Sequence, residues 1–399
     1  MSSVPKIAVV YPASIPWMGQ FLDGIRRFSG PLGGWRLYTT PPALASTGER
    51  TLAISSLVGW QGDGVIAVVS NEEEAREARL LKVPIVNISS WEKESFGFPR
   101  VGVDNFQAGR LAADHLLSRG LKNLAFIGWD GVYYSDLRRM GFIGRARELG
   151  SEVSELLKHP NEFDEENWGQ RLRVLSHWIH QLPKPCGVFA VHDYRAQLVI
   201  DACDVAGVRV PQDVAVIGMD NDVIICRHSM PTITSISRNS EEVGWQAAAL
   251  LHRLMEGDAD LAKDEEIRVP PECVVAREST DTHYHGDEVV RVSIRYIENR
   301  LRYPFNVEEV ANHVGVSKRK LEMRFRDCVG KSPHQFITEA RVARARELLN
   351  RPGGQSLQMI SENCGFVSYS AFVSSFKRVT GVSPKEARNQ KTTGEISEL

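Results

Sequence analysis

At 399 residues the chain is too long for one ordinary core and suggests two or three domains. With 42% hydrophobic and 25% charged residues its composition is globular, and it holds no apolar run of 18 residues, which excludes a helical membrane span. The net charge of −2 hides an asymmetry: residues 287–388 carry 18 Lys and Arg against 11 Asp and Glu, while residues 1–286 carry 29 against 37, so the last quarter suits phosphates.

The first residues lack a basic stretch followed by a long apolar one, so no export signal is read and a cytoplasmic, nucleoid-associated protein is expected. Short β-branched runs occur at Lys6-Ile7-Ala8-Val9-Val10 and in residues 64–69, 83–87, 123–128, 186–191 and 213–218. Without polar alternation, such runs suit strands covered on both faces. Helical periodicity lies between and beyond them, at 19–29, 72–81, 106–118, 136–149, 168–181, 194–206 and 241–255. This order predicts an α/β fold of doubly wound parallel sheets.

Ligands of such sheets sit beyond the carboxyl ends of the strands. The residues there are Tyr11, Ser14 and Trp17, then Asp130 and Arg138, then His192, Asp193 and Arg195, then Asp220 and Asn221. An aromatic ring covers the apolar face of a sugar, and Asp, Asn and Arg supply acceptors and donors for hydroxyls, so a polyol is favoured over an apolar ligand. Taken singly, Ser, Asp and Asn at these places also fit ordinary N-caps.

No enzyme constellation stands out. The glycine-rich residues 59–64 precede a strand instead of opening a helix after one, which argues against a phosphate loop. Neither a Gly-x-Ser-x-Gly elbow nor a His-Glu-x-x-His pair is present. The six cysteines (186, 203, 226, 273, 328 and 364) are scattered, and buried thiols are expected. His283 and His285 lack a third metal ligand and read as part of a polar linker, so no metal or cofactor is expected.

Residues 101–109 (Val-Gly-Val-Asp-Asn-Phe-Gln-Ala-Gly), 112–116, 124–128, 138–142, 191–196, 216–221 and 231–236 run in the order found in lac-repressor-family regulators. Over roughly residues 5–280 the chain resembles their two-lobed, periplasmic-binding-protein-like core. The resemblance implies that Arg138 and Asp220 hold the effector; the Asn usual before Asp193 is His192 here. The family's N-terminal DNA-binding headpiece is expected to be absent, because the chain starts on the first strand.

A polar run over 278–286 reads as a linker, and a helical pattern spans 288–300. An internal repeat follows. Val310, Gly315, Ser317, Leu321, Phe325, Gly330 and Ser332-Pro333 match Ile360, Gly365, Ser368, Phe372, Phe376, Gly381 and Ser383-Pro384, offset by 50 residues before the turn and 51 after it. Each unit, at about 306–330 and 357–381, reads as helix, glycine turn and second helix. Residues 333–350 form an amphipathic spacer of roughly 25 Å, fit to place two recognition helices in successive major grooves.

With Leu321 and Phe325 turned to the core, Arg319, Glu322 and Met323 face base edges; with Phe372 and Phe376 inward, Tyr369, Ser370 and Ser374 do so. Lys318, Lys320, Arg324, Lys377 and Arg378 suit phosphates. Arg341, Arg344 and Arg346 read as solvated or structural charges of the spacer. Residues 287–388 resemble the AraC-family DNA-binding domain through Gly365-Phe366, Ser370-Ala371-Phe372, Phe376-Lys377-Arg378 and Gly381-Val382-Ser383-Pro384; Ala387-Arg388 replaces its usual Tyr-Arg pair.

The expected domains are a sugar-binding sensor over 1–277, a linker over 278–286 and an all-α double helix-turn-helix domain over 287–390. This pairing resembles the xylose operon regulators. The resemblance implies a homodimer that binds D-xylose or a similar pentose and promoter DNA, contacts RNA polymerase and activates catabolic genes. Two other classes fit parts of the chain: a sugar-processing enzyme with a nucleic-acid-binding appendage, and a cytoplasmic sugar receptor. The first needs a paired acid and base that the spacing does not reveal.

Overall fold

The structure, a computed structural model, describes residues 4–11, 17–39, 53–160, 167–258, 265–281, 287–349 and 355–388. The chain divides into two compact units, Met1–Thr282 and His283–Leu399.

Among the described residues the first unit has twelve strands: β1 (Lys6–Val10), β2 (Arg36–Thr39), β3 (Gly64–Ala67), β4 (Ile85–Asn87), β5 (Arg100–Val103), β6 (Asn123–Trp129), β7 (Val153–Lys158), β8 (Cys186–Ala190), β9 (Val214–Met219), β10 (Thr234–Ile236), β11 (Glu266–Val269) and β12 (Val274–Val275). They form two six-stranded sheets of the same order, β2-β1-β3-β4-β5-β11 and β7-β6-β8-β9-β10-β12. Every pairing is parallel except that of β12 with β10. Apart from Lys6 at the start of β1, the strands β1, β3, β8 and β9 are apolar runs that lie inside, covered by helices on both faces, as a parallel sheet requires.

Each sheet is the centre of one lobe, and the chain passes between lobes three times, after β5, after β10 and after β11. The crossing segments pair with one another: Asp104 N–H donates to Val269 O at 2.7 Å, and Ser237 N–H to Cys273 O at 2.9 Å. In each lobe two long helices cross at glycines. A Cβ on Gly24 falls 1.9 Å from Glu241 O, joining the helices Met18–Ser29 and Ser240–Met255. A Cβ on Gly109 falls 2.1 Å from Arg138 O, joining Asn105–Ser118 and Tyr133–Glu148. Only a residue without a side chain permits this approach.

Polarity suggested a linker from residue 278, but Glu278–Thr280 is a short 3-10 helix against the first unit, with Ser279 and Thr280 wholly buried. Their hydroxyls satisfy buried partners, Val216 O for Ser279 and Thr234 Oγ1 for Thr280, so polar residues here are sealed inside.

The second unit is helical: Glu288–Arg300, Val307–His313, Lys318–Val329, Pro333–Leu349, Leu357–Asn363 and Tyr369–Thr380. Val290, Ile294, Leu321 and Phe325 share one core; Ile360, Phe366, Phe372 and Phe376 share another. The helix Pro333–Leu349 serves both, giving Ile337 to the first and Val342, Ala345 and Leu348 to the second. Among the described residues, no helix is long and apolar enough to cross a membrane.

Candidate functional site

Between the lobes lies a cleft of about 360 Å³, at the small end of the roughly 300–1,000 Å³ usual for small-molecule sites. One lobe contributes Trp17, Val68, Ser70, Ile88, Ser89, Ser90 and Trp91; the other contributes Asn105, Tyr134, Arg138, His192 and Asp220; Arg238 comes from the crossing after β10. These side chains offer aromatic faces, hydroxyls, an amide, two guanidiniums and one carboxylate.

Asp220 is the electrostatic centre. Its Oδ1 accepts from Arg238 at 3.2 Å and lies 3.7 Å from an Arg138 nitrogen. Arg138 is 2% exposed and spends its other donors on Asn105 Oδ1, at 2.9 Å, and on the Val191 carbonyl. Its guanidinium stacks on Tyr134 at 4.9 Å, as that of Arg238 does on Trp17 at 4.2 Å. Burial pushes the Arg138 pKa below its ordinary value, and the Asp220 carboxylate opposes that shift. Burial also raises the Tyr134 phenol to about 12, keeping it a neutral donor.

His192 caps the helix Asp193–Val205: its Nδ1 accepts from Arg195 N–H at 3.3 Å, while the Trp129 indole N–H points at its Nε2 at 3.2 Å. Burial lowers the ring to about 4, so it is neutral and accepts through only one nitrogen at a time. Arg195 stacks on Trp129 at 3.8 Å.

Of the candidates, the cleft collects Trp17, Arg138, His192 and Asp220. Asp130 is exposed beyond β6, its amide bonded to Lys158 O, and does not line the cleft. Asp193 is buried inside its lobe, where Oδ2 accepts from Asp222 N–H at 2.7 Å. Asn221 turns its carbonyl to Arg277 at 2.6 Å, and Tyr11 packs in a lobe core. Ser14 lies outside the described residues, as do His283 and His285. Sequence reasoning passed over Ser70, Ser89, Ser90, Trp91 and Arg238, although they follow β3, β4 and β10 and the strand-end rule nominates them.

In the second unit the two repeats take the same local structure. Ser317 and Ser368 accept from the amides of Lys320 and Ala371 as N-caps. Gly315 and Gly365 (φ 68° and 66°) make the turns, and Gly330 and Gly381 (69° and 84°) end the second helices in the left-handed region. Lys318, Arg319, Lys320 and Met323 are exposed and Glu322 half-buried on one second helix; Tyr369, Ser370, Ser374, Lys377 and Arg378 are exposed on the other. Arg324 instead pairs with Asp287 at 2.9 Å, and buried Arg341 donates to Tyr303 O at 3.2 Å. Both act inside the unit.

Residues 113–280 match the periplasmic binding protein-like domain family, and residues 310–390 match the helix-turn-helix domain family. The xylose operon regulatory protein of Haemophilus influenzae is 31% identical over 396 residues, spanning 96% of this chain and 98% of that one. The chain belongs to the xylose operon regulatory protein family. Its Escherichia coli (strain K12) member is 31% identical over 344 residues, 84% of this chain and 86% of that one. The solved structure of a xylose-binding transcription activator, xylR, covers 97% of this chain and 98% of its own with a TM-score of 0.63 at 27% identity. The chain is therefore a DNA-binding, sugar-responsive transcription regulator and not an enzyme, with the two-lobed α/β sensor and double helix-turn-helix expected from sequence.

Proposed function

We propose that this regulator is a D-xylose-controlled activator of sugar catabolism genes, cytoplasmic and homodimeric, acting at promoter DNA and on RNA polymerase. The observation that carries the sugar reading is the Asp220 carboxylate held between Arg138 and Arg238 in a small cleft walled by Trp17. A carboxylate accepts from two hydroxyls, Asn105 and His192 offer further polar atoms, and Trp17 and Trp91 cover C–H faces. Trp17, Arg138, His192 and Asp220, with Asn105 and Arg238, form the proposed effector set. The relatives named for xylose support the pentose.

The second helices carry the proposed DNA contacts: Arg319, Glu322, Met323, Tyr369, Ser370 and Ser374 toward bases, and Lys318, Lys320, Lys377 and Arg378 toward phosphates. Sugar that binds closed lobes more tightly than open ones shifts the sensor and, through it, DNA binding.

Calorimetric titration with D-xylose and a panel of other pentoses and hexoses tests the effector assignment. D-xylose should bind best, and Asp220→Asn should weaken it roughly tenfold or more, because a charge-assisted hydrogen bond is lost. Binding of no sugar, or binding indifferent to Asp220, overturns the assignment.

A further inference from the structure

The segment that ends the first unit is fastened next to the effector carboxylate. Asp220 and Asn221 both have positive φ, 103° and 52°. Such a pair persists only where its surroundings over-determine it. Three locks do so here. Ser235 Oγ accepts from Asn221 N–H at 3.0 Å, Asp193 accepts from Asp222 N–H at 2.7 Å, and Arg277 donates to Asn221 Oδ1 at 2.6 Å.

All three locks lie in the same lobe, but Arg277 follows β12, in the segment that, in chain order, precedes His283 and the second unit. Its guanidinium also donates to Ile233 O at 2.7 Å, and its own N–H donates to Thr234 Oγ1 at 2.7 Å. The following residues are anchored in turn: Glu278 accepts from Thr232 N–H at 2.9 Å, and Thr280 Oγ1 lies 2.7 Å from His115 Nε2.

We propose that Arg277 is a positioning residue that couples the Asp220 turn to the segment leaving the sensor. This rests on the reading of Asp220 as an effector contact. A ligand hydroxyl drawn to the Asp220 carboxylate competes with Arg138 and Arg238, and a change in the turn moves Asn221, one residue on. The Asn221 carbonyl is held by a planar, two-pronged donor whose other contact is backbone, so the displacement is passed to residues 277–280 instead of being absorbed by a flexible side chain. Neither Asn221 nor Arg277 lines the cleft. Their expected role is therefore in the response and not in sugar affinity.

The test uses the full chain, D-xylose and a DNA fragment carrying its own promoter region at fixed salt. Two quantities are measured for wild type, Asn221→Gly and Arg277→Lys: D-xylose affinity, and the ratio of DNA affinities with and without saturating D-xylose. Asn221→Gly keeps a residue at ease with positive φ while removing the amide; Arg277→Lys keeps the charge but loses the fork. Wild type should show a ratio in the 5–150-fold range usual for coupled sites. Asn221→Gly should bind D-xylose within about threefold of wild type while its ratio collapses toward one, and Arg277→Lys should follow. If Arg277→Lys melts early, Asn221→Gly decides alone. A ratio unchanged in Asn221→Gly overturns the proposal, as does loss of D-xylose affinity equal to its loss of response, which would make Asn221 part of the sugar site. A wild-type ratio of one overturns the effector reading itself.

Discussion

Burial gives three side chains of the sensor opposing effects on its stability. His192 and His115 are held neutral, with pKa values of about 4 against an ordinary 6.5. Between pH 6.5 and 4 the unfolded chain takes up protons that the folded one refuses. Each histidine thus removes stability as pH falls through that window, by at most ~1.4 kcal/mol per pH unit. Asp193 acts the other way. Burial, and then the charge of Asp220, raise it to about 7 from 3.8, so its contribution is lost as pH rises from about 4 to 7. With two histidines against one carboxyl, thermal melts of the sensor should show a net gain in stability from pH 5 to 6.5. Asp193→Asn removes the opposing group and should steepen that gain; an unchanged or flatter slope contradicts the assignment of the Asp193 proton. At the same scale, only some of the candidate site was legible in the sequence. Arg138 and Asp220 follow strands whose apolar runs are plain. Asn221 and Asp193 share that position, yet their side chains turn to Arg277 and to Asp222 N–H, contacts set by residues far apart in the chain.

Elements buried on both faces are those that sequence reads well. Strands β3, β8 and β9, and β1 after Lys6, stand out as uninterrupted apolar runs. Edge strands read less plainly: β2 and β7 have mixed sequences, such as Arg36-Leu37-Tyr38-Thr39, with neither a run nor a clean alternation, and β11 alternates over only four residues. The glycine crossings are equally silent in sequence, since a helix tolerates glycine without revealing what lies against it. Gly109→Ala should push the helix carrying Arg138 away from its neighbour, because the new Cβ meets Arg138 O at 2.1 Å. Overpacking of this kind costs roughly 1–3 kcal/mol, so a lower melting temperature and weaker D-xylose binding are expected together. Full retention of both would show that the helices separate freely. On the recognition helices, exposed Lys377→Ala should weaken binding to all DNA sequences alike and lower the salt slope by about one. Arg319→Ala should instead relax discrimination at one base position, by about 1–3 kcal/mol. Gel shifts over a salt series with wild-type and base-substituted promoter DNA separate the two patterns.

For the whole molecule, the internal repeat and the change from strand-helix alternation to helices made the division into sensor and DNA-binding domain readable from sequence. The end of the sensor was not: residues 278–281 are polar enough to read as linker, but the Ser279 and Thr280 hydroxyls and the Glu278 carboxylate are partnered in the fold, and only tertiary structure provides those partners. That detail matters to function, because it is where a change at Asp220 can leave the sensor. Sugar in the cleft is proposed to change DNA binding by the second unit. The most direct test is the affinity of the full-length protein for its own promoter region at fixed salt, with and without D-xylose, for wild type and Asp220→Asn. A shift of about fivefold or more is expected on adding D-xylose to wild type, and none for Asp220→Asn at the same concentration; equal DNA affinity with and without the sugar in wild type would contradict this coupling.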